Sequence, residues 1–316
     1  MRHLLSIADL TRDDMERILA TAGSFAGVVE RDIKKVPTLR GRTIVNLFYE
    51  ASTRTSSSFE LAAKRLSADV VSVRSAGSAV DKGESLKDTI ATLSAYDPAA
   101  IVIRSPWAGA AELVARWSTS SVVNAGDGKH EHPSQALLDV YTLERRLGSL
   151  EGLEIWIVGD VLHSRVARSN VLAFSRMGAR VTVCGPPTLI PREAESLGCE
   201  VAYTLDRLGE ADVVYVLRMQ QERMKGTFVP SLREYASRYQ INGHRLGPRQ
   251  LLMHPGPVNR GVELSAEVID SPQALISKQV ASGLVVRMAI LYELLSGPSG
   301  DEAARSAPLA TVEQPA

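Results

Sequence analysis

The strongest constraint on this chain is a unit that recurs along its length. A short apolar run ends in polar or glycine-rich residues, and a helix-like stretch follows. Ile44-Val45-Asn46-Leu47-Phe48-Tyr49, Asp69 to Val73, Ala100 to Ile103 and Val122-Val123-Asn124 are four such runs in the first half. Leu153 to Val158, Val181 to Cys184, Val201 to Tyr203, Ala211 to Leu217 and Leu251 to Met253 continue the series. Runs of this length without polar alternation read as strands buried on both faces. Strands that alternate with helices pair in parallel, because only a crossover returns the chain to the same sheet edge. The predicted class is therefore α/β with doubly wound parallel sheets.

At 316 residues the chain exceeds one ordinary core. Gly148 and Gly152 flank a short link after which the alternation restarts, so two domains are expected, residues 1–150 and 151–273. Ala274 to Leu295 reads as a long apolar-periodic helix, broken at Gly283, that packs back on the first domain. Residues 297–316 turn to Gly, Ser, Ala and Pro and read as a disordered tail. Lysine plus arginine and aspartate plus glutamate number 36 each, which disfavours a nucleic-acid or membrane surface as the main partner. Met1 to Ser6 lead into a polar helix rather than a signal peptide, and no run reaches membrane-spanning length. Cys184 and Cys199 have neither disulfide-framework nor zinc spacing, so a reducing cytoplasm is the simplest location.

The chemistry gathers where strands end, which is where open α/β sheets bind their ligands. After the first strand come Ser52-Thr53-Arg54-Thr55-Ser56-Ser57-Ser58-Phe59-Glu60, with Ser57 or Ser58 as the expected helix cap and Glu60 in the first turn. Hydroxyls and one guanidinium beside the free N–H groups of a helix start make a seat for a phosphate dianion. A serine-rich cap with a solvated Arg54 is the competing reading. A glycine-flanked loop carries Ser78 and Lys82 and could close on an anion; taken alone, Lys82 is simply exposed. Arg104 follows the third strand, with Trp107 as a pocket wall or packing residue. His132 stands at the turn before a helix over 136–147, able to donate to a developing oxyanion or to cap the turn structurally, and Gln135 one turn on can read an amide.

In the second half, Leu153 to Asp160 lacks the G-x-G-x-x-G spacing of a dinucleotide site. Its turn carries His163, Arg165 and Arg168 ahead of a helix expected over 169–177. Arginines at a helix start meet the positive dipole end, an unfavourable arrangement unless a carboxylate or phosphate is held there. Arg218, with Gln220, closes another strand, and 224–245 reads as a long loop with a helix. His254-Pro255-Gly256-Pro257 is a rigid turn whose carbonyls could accept from an amine, with His254 structural or catalytic.

Taken in order, Ser52-Thr53-Arg54-Thr55 with Ser58-Phe59-Glu60, Lys82-Gly83-Glu84, Arg104 before Pro106, His132-Pro133-Ser134-Gln135, Asp160 through Arg165, Arg218-Met219-Gln220 and His254 through Gly261 resemble the aspartate and ornithine transcarbamoylases. The resemblance runs from about Leu4 to Leu295 and is closest to the catalytic chains that use aspartate. It implies that residues 1–150 bind carbamoyl phosphate and 151–273 bind aspartate, with the active site in the cleft between them. Ser52, Thr53, Arg54, Thr55 and Arg104 would hold the phosphate. Thr55, Arg104 and His132 would polarise the carbonyl, while Gln135 and the backbone around Pro255 and Gly256 would fix the carbamoyl amide. Arg165, Arg218 and Gln220 would grip the carboxylates of L-aspartate. Ser78 and Lys82 would come from a neighbouring subunit, which implies a homotrimer with shared sites, open to further assembly with regulatory or dihydroorotase chains. No metal or organic cofactor is called for.

Two arginines with a glutamine suit a dicarboxylate, whereas a cationic acceptor would meet like charge. The turn at His254 also lacks the cysteine typical of ornithine enzymes. Ser56 stands where the family commonly has a basic residue, and Ser105 where it often has histidine. A paralogue with another amino-acid acceptor and a non-catalytic anion binder are the alternatives these departures leave open.

Overall fold

The computed structural model describes residues 1–74, 84–220 and 228–296. Ser78 and Lys82 lie outside them, as does the 297–316 tail. The apolar runs become nine strands in two sheets among the described residues. Strands β1 (Thr43–Phe48), β2 (Asp69–Arg74), β3 (Ala100–Ser105) and β4 (Ser121–Asp127) form a sheet in the order β2-β1-β3-β4. Strands β5 (Glu154–Val158), β6 (Arg180–Cys184), β7 (Glu200–Ala202), β8 (Val213–Val216) and β9 (Leu251–Met253) form a second, ordered β7-β6-β5-β8-β9. Every pairing between these strands is parallel. In each sheet the order reverses beside the first strand, the switch point at which crossovers pass to opposite faces.

The crossovers are helical. Helices α1 (Arg12–Val29), α2 (Thr53–Arg65), α3 (Leu86–Ser94), α4 (Ala110–Trp117) and α5 (Pro133–Leu147) accompany the first sheet. Helices α6 (Arg165–Arg176), α7 (Leu232–Tyr239) and α8 (Ala266–Ile269) follow with the second, and α9 (Ile276–Leu295) ends the described chain. Local chemistry sets several of their starts. Thr11 closes a capping box with Asp14, while Ser85, Ser164 and Ser231 each accept a backbone N–H from the first turn of the helix they precede.

Several boundaries differ from expectation; helix α5, for one, starts at Pro133 rather than 136, since proline suits the first helical position. Helix α2 starts at Thr53 with Ser52 as its cap residue, a turn before the expected Ser57 or Ser58. Ser58 instead bonds back along the helix to the Arg54 and Thr55 carbonyls. Helix α6 starts at Arg165 rather than 169, because Ser164 supplies the cap. Gly283 does not break α9, which runs through it without interruption. A Cβ there would lie 2.7 Å from Arg287 Nη1, so the glycine clears space for a buried guanidinium.

Helix α9 packs against α1, α2 and α5, all beside the first sheet. The last described helix therefore belongs to the layer built by the first half of the chain. One large apolar core runs through both halves, and Leu137, Val140, Phe174, Tyr215 and Ile290 are all part of it. No described helix is long and apolar enough to cross a membrane.

Candidate active site

All the strands run parallel, so their carboxyl ends lie along one edge of each sheet, and these two edges face each other. Arg104, next to last in β3, directs Nη1 to the Ala125 carbonyl at 3.3 Å and Nε to Glu50 at 3.3 Å. Arg165, the first residue of α6 and buried, forms an ion pair with the same Glu50 carboxylate. One acid from the loop after β1 thus bridges an arginine of the first sheet to an arginine of the second. The cost of a cation at the positive end of a helix is offset here by a protein carboxylate. The sequence reading left that place for a ligand and did not single out Glu50. Gly126, at φ +115°, lets the β4 end pass close to this pair, since a Cβ there would sit 3.0 Å from Arg165 Nε.

A second crossing lies beside the first. Arg54 projects from the first turn of α2 toward the turn after β9, and a Cβ on Gly256 would come within 3.0 Å of Arg54 Cζ. Gly256 has φ +63°, so its lack of a side chain meets both the backbone and the clearance requirement. Burial lowers the Arg54 pKa from its usual value, and the charge of Arg218 lowers it further, which places these two guanidinium groups in one field. His254 is buried and its pKa is lowered, chiefly by burial and also by Arg54 and Arg218, against the opposing pull of Glu263. Its Nδ1 accepts from Gly256 N at 2.8 Å, so the ring proton belongs on Nε2, 3.4 Å from Glu263 Oε1. The His254 ring is therefore committed to shaping the turn that carries Pro255 and Gly256. Arginines from both halves thus meet twice across the sheet edges, Arg104 and Arg165 on the Glu50 carboxylate and Arg54 with Arg218 near the turn after β9.

The remaining predicted residues lie at helix starts and strand ends. Thr55 is buried in the first turn of α2, with Ser52 and Thr53 preceding it. His132 is buried at the start of α5; its N–H donates to Ser169 Oγ at 2.8 Å, and its Nδ1 lies 3.4 Å from Ser134 Oγ. Gln135, buried one turn on, donates from Nε2 to Asp139 Oδ1 at 3.0 Å. Gln220 donates its N–H to Asp160 Oδ2 at 3.3 Å, and Asp160 also meets His163 Nδ1 at 2.8 Å. Trp107 is largely exposed and packs edge-on against Tyr49. Ser56 and Ser105 are both buried.

The first-half residues 2–145 match the family model for the aspartate/ornithine carbamoyltransferase carbamoyl-phosphate binding domain, and residues 151–294 match the model for its aspartate/ornithine binding domain. The chain belongs to the aspartate/ornithine carbamoyltransferase family. Among curated carbamoyltransferases it is 56% identical over 311 residues to the aspartate carbamoyltransferase catalytic subunit of Acidothermus cellulolyticus, covering 97% of this chain and 96% of that one. It is 57% identical to the protein of the same name from Salinispora arenicola, covering 94% and 99%. Among solved carbamoyltransferases, the Trypanosoma cruzi aspartate transcarbamoylase in complex with N-(phosphonacetyl)-L-aspartic acid is similar with a TM-score of 0.84 and 31% identity, over 93% of this chain and 96% of that one. The catalytic subunit of the M. jannaschii aspartate transcarbamoylase gives a TM-score of 0.82 and 36% identity, over 95% and 100%.

Proposed function

We propose that this chain transfers the carbamoyl group of carbamoyl phosphate to the amine of L-aspartate, giving N-carbamoyl-L-aspartate and phosphate in pyrimidine biosynthesis. The observation that carries this reading is the pairing of arginines from the two halves across the facing sheet edges, Arg104 with Arg165 on the Glu50 carboxylate and Arg54 with Arg218 in one field. Such a site suits two polyanions held side by side, one by each sheet. Relatives above half identity bear the aspartate carbamoyltransferase name, which favours aspartate over another acceptor.

In this mechanism the start of α2, with Ser52, Thr53, Arg54, Thr55 and Arg104, receives the phosphate dianion. Arg165, Arg218 and Gln220 take the carboxylates of aspartate and bring its neutral amine to the carbonyl carbon. A C–N bond forms, and the carbonyl oxygen gathers negative charge that Thr55, Arg104 and His132 stabilise. The C–O bond to phosphate then breaks, phosphate leaves with the bonding pair, and the amine proton passes to it. Gln135, with the backbone at Pro255 and Gly256, holds the carbamoyl amide. Residues 1–150 with α9 act as the carbamoyl-phosphate half and 151–273 as the aspartate half. The working unit is a cytoplasmic homotrimer in which Ser78 and Lys82 serve a neighbour's site.

The decisive experiment is an assay of purified protein for N-carbamoyl-aspartate, with ornithine as the control acceptor. Turnover with aspartate alone is expected. Folded protein that makes no carbamoyl-aspartate, or that prefers ornithine, defeats the reading.

A further inference from the structure

Asp139, in the middle of α5, is fully buried and outside the set of groups assigned above to touch substrate. Four donors from four elements converge on its carboxylate. Gln135 Nε2 in α5 and Gln279 Nε2 in α9 reach Oδ1 at 3.0 and 2.7 Å. Asn170 Nδ2 in α6 and Tyr215 OH in β8 reach Oδ2 at 3.0 and 2.7 Å. An ionised carboxylate can only accept, so each side-chain amide facing it must turn its NH2 inward. The carbonyl end of each amide is thereby turned away from Asp139. For Gln279 that end accepts the His254 N–H at 3.0 Å, anchoring the turn that continues into Pro255 and Gly256. For Gln135 it is the end left to meet a ligand.

We propose that Asp139 is a positioning residue that fixes the amide polarity of the site, so that Gln135 Oε1 accepts from a ligand's NH2 and the turn at Pro255 is held in register with it. This inference rests on the carbamoyl-phosphate reading given above. Carbamoyl phosphate and acetyl phosphate share shape and charge but differ in placing NH2 or CH3 at this point. An oriented carbonyl acceptor favours the first; a Gln135 side chain released from Asp139 no longer holds its carbonyl at this point, and the distinction falls toward that of a site without the amide. Asp139 thus acts on selectivity between these two acyl phosphates, while the phosphate seat at α2 is left alone.

The test measures dissociation constants of carbamoyl phosphate, acetyl phosphate and inorganic phosphate for the wild-type protein and for Asp139→Ala, Asp139→Leu, Asp139→Asn and Gln135→Ala. Alanine opens space and leucine keeps the branched shape without an acceptor, so either one suffices if the other does not fold. The expected result is a drop of about tenfold in the preference for carbamoyl over acetyl phosphate in Asp139→Ala and Asp139→Leu, comparable to Gln135→Ala. Phosphate affinity stays near wild type throughout. Asp139→Asn keeps most of the preference, because its amide oxygen can still accept from Gln135 and Gln279. Preference retained in Asp139→Ala or Asp139→Leu while Gln135→Ala loses it overturns the role of Asp139. Equal loss of all three ligands in the Asp139 variants does so too, since that marks a merely structural residue. An unchanged preference in Gln135→Ala instead sinks the substrate reading of Gln135, and the proposal falls with it.

Discussion

Glu50 is held by Arg104 on one side and Arg165 on the other, so removing its carboxylate leaves two guanidinium groups facing each other across the sheet edges. Breaking a largely shielded pair from one side strands the remaining charge. Glu50→Ala is expected to lower kcat/KM for aspartate by about tenfold or more, mostly through KM, with a smaller effect on carbamoyl phosphate. Steady-state kinetics with each substrate varied would show it; an unchanged aspartate KM would mean that Arg165 is positioned by its helix alone. Asp139 offers a prediction of another kind. Burial raises its pKa from 3.8 to about 6 against the pull of Gln279, Asn170, Tyr215 and Gln135, with the Arg287 charge also facing it. A raised acid favours the folded state fully below the unfolded value, and that contribution is lost as pH climbs through the folded one. Between about pH 4 and 6 the group should therefore remove roughly 3 kcal/mol of stability as pH rises, a slope that Asp139→Asn should flatten in denaturant titrations.

At the scale of elements, α6 shows how a short local signal governs the placement of a candidate site residue. Ser164 Oγ accepts from Ala167 N, which fixes the first turn and with it the direction of Arg165. Ser164→Ala is expected to cost about 1 kcal/mol of stability and to raise the aspartate KM a few-fold, measured by thermal melts and kinetics on the same preparation. The strands were legible because buried parallel strands carry unbroken apolar runs, and the arginines at their ends were legible because that edge is where such sheets bind ligands. The helix starts were less so. In Ser52 to Ser58 nearly every residue is a plausible cap, and the one used, Ser52, makes no side-chain capping bond. Glu50 escaped notice since one acid between a strand and a basic motif has no periodicity to mark it. Asp139 escaped for the opposite reason: it sits inside an apolar-periodic helix, and its partners lie 31, 76 and 140 residues away.

At the scale of the whole molecule, the two sheets are joined through their edges by Glu50 and through their interior by Asp139. The proposed shared-site trimer makes a prediction about Lys82, which lies outside the described residues. Arg54→Ala and Lys82→Ala proteins, each nearly inactive alone, should regain activity when subunits are dissociated, mixed and reassembled, because some mixed sites then receive both native residues. No recovery on mixing would place Lys82 in its own chain's site or outside the reaction.

The position of α9 bears on how the protein is made. It packs beside the first sheet but follows the whole of the second in the chain. At ribosomal speeds of about 5–20 residues per second, the stretch from the end of α5 to the end of α9 takes roughly 7–30 s to emerge. Throughout that interval the faces of α1, α2 and α5 that receive α9 stand uncovered, and Asp139 lacks the Gln279 donor. The nascent first half therefore offers a greasy, half-satisfied surface for many seconds, long enough to favour a helper that shields it until the final helix arrives.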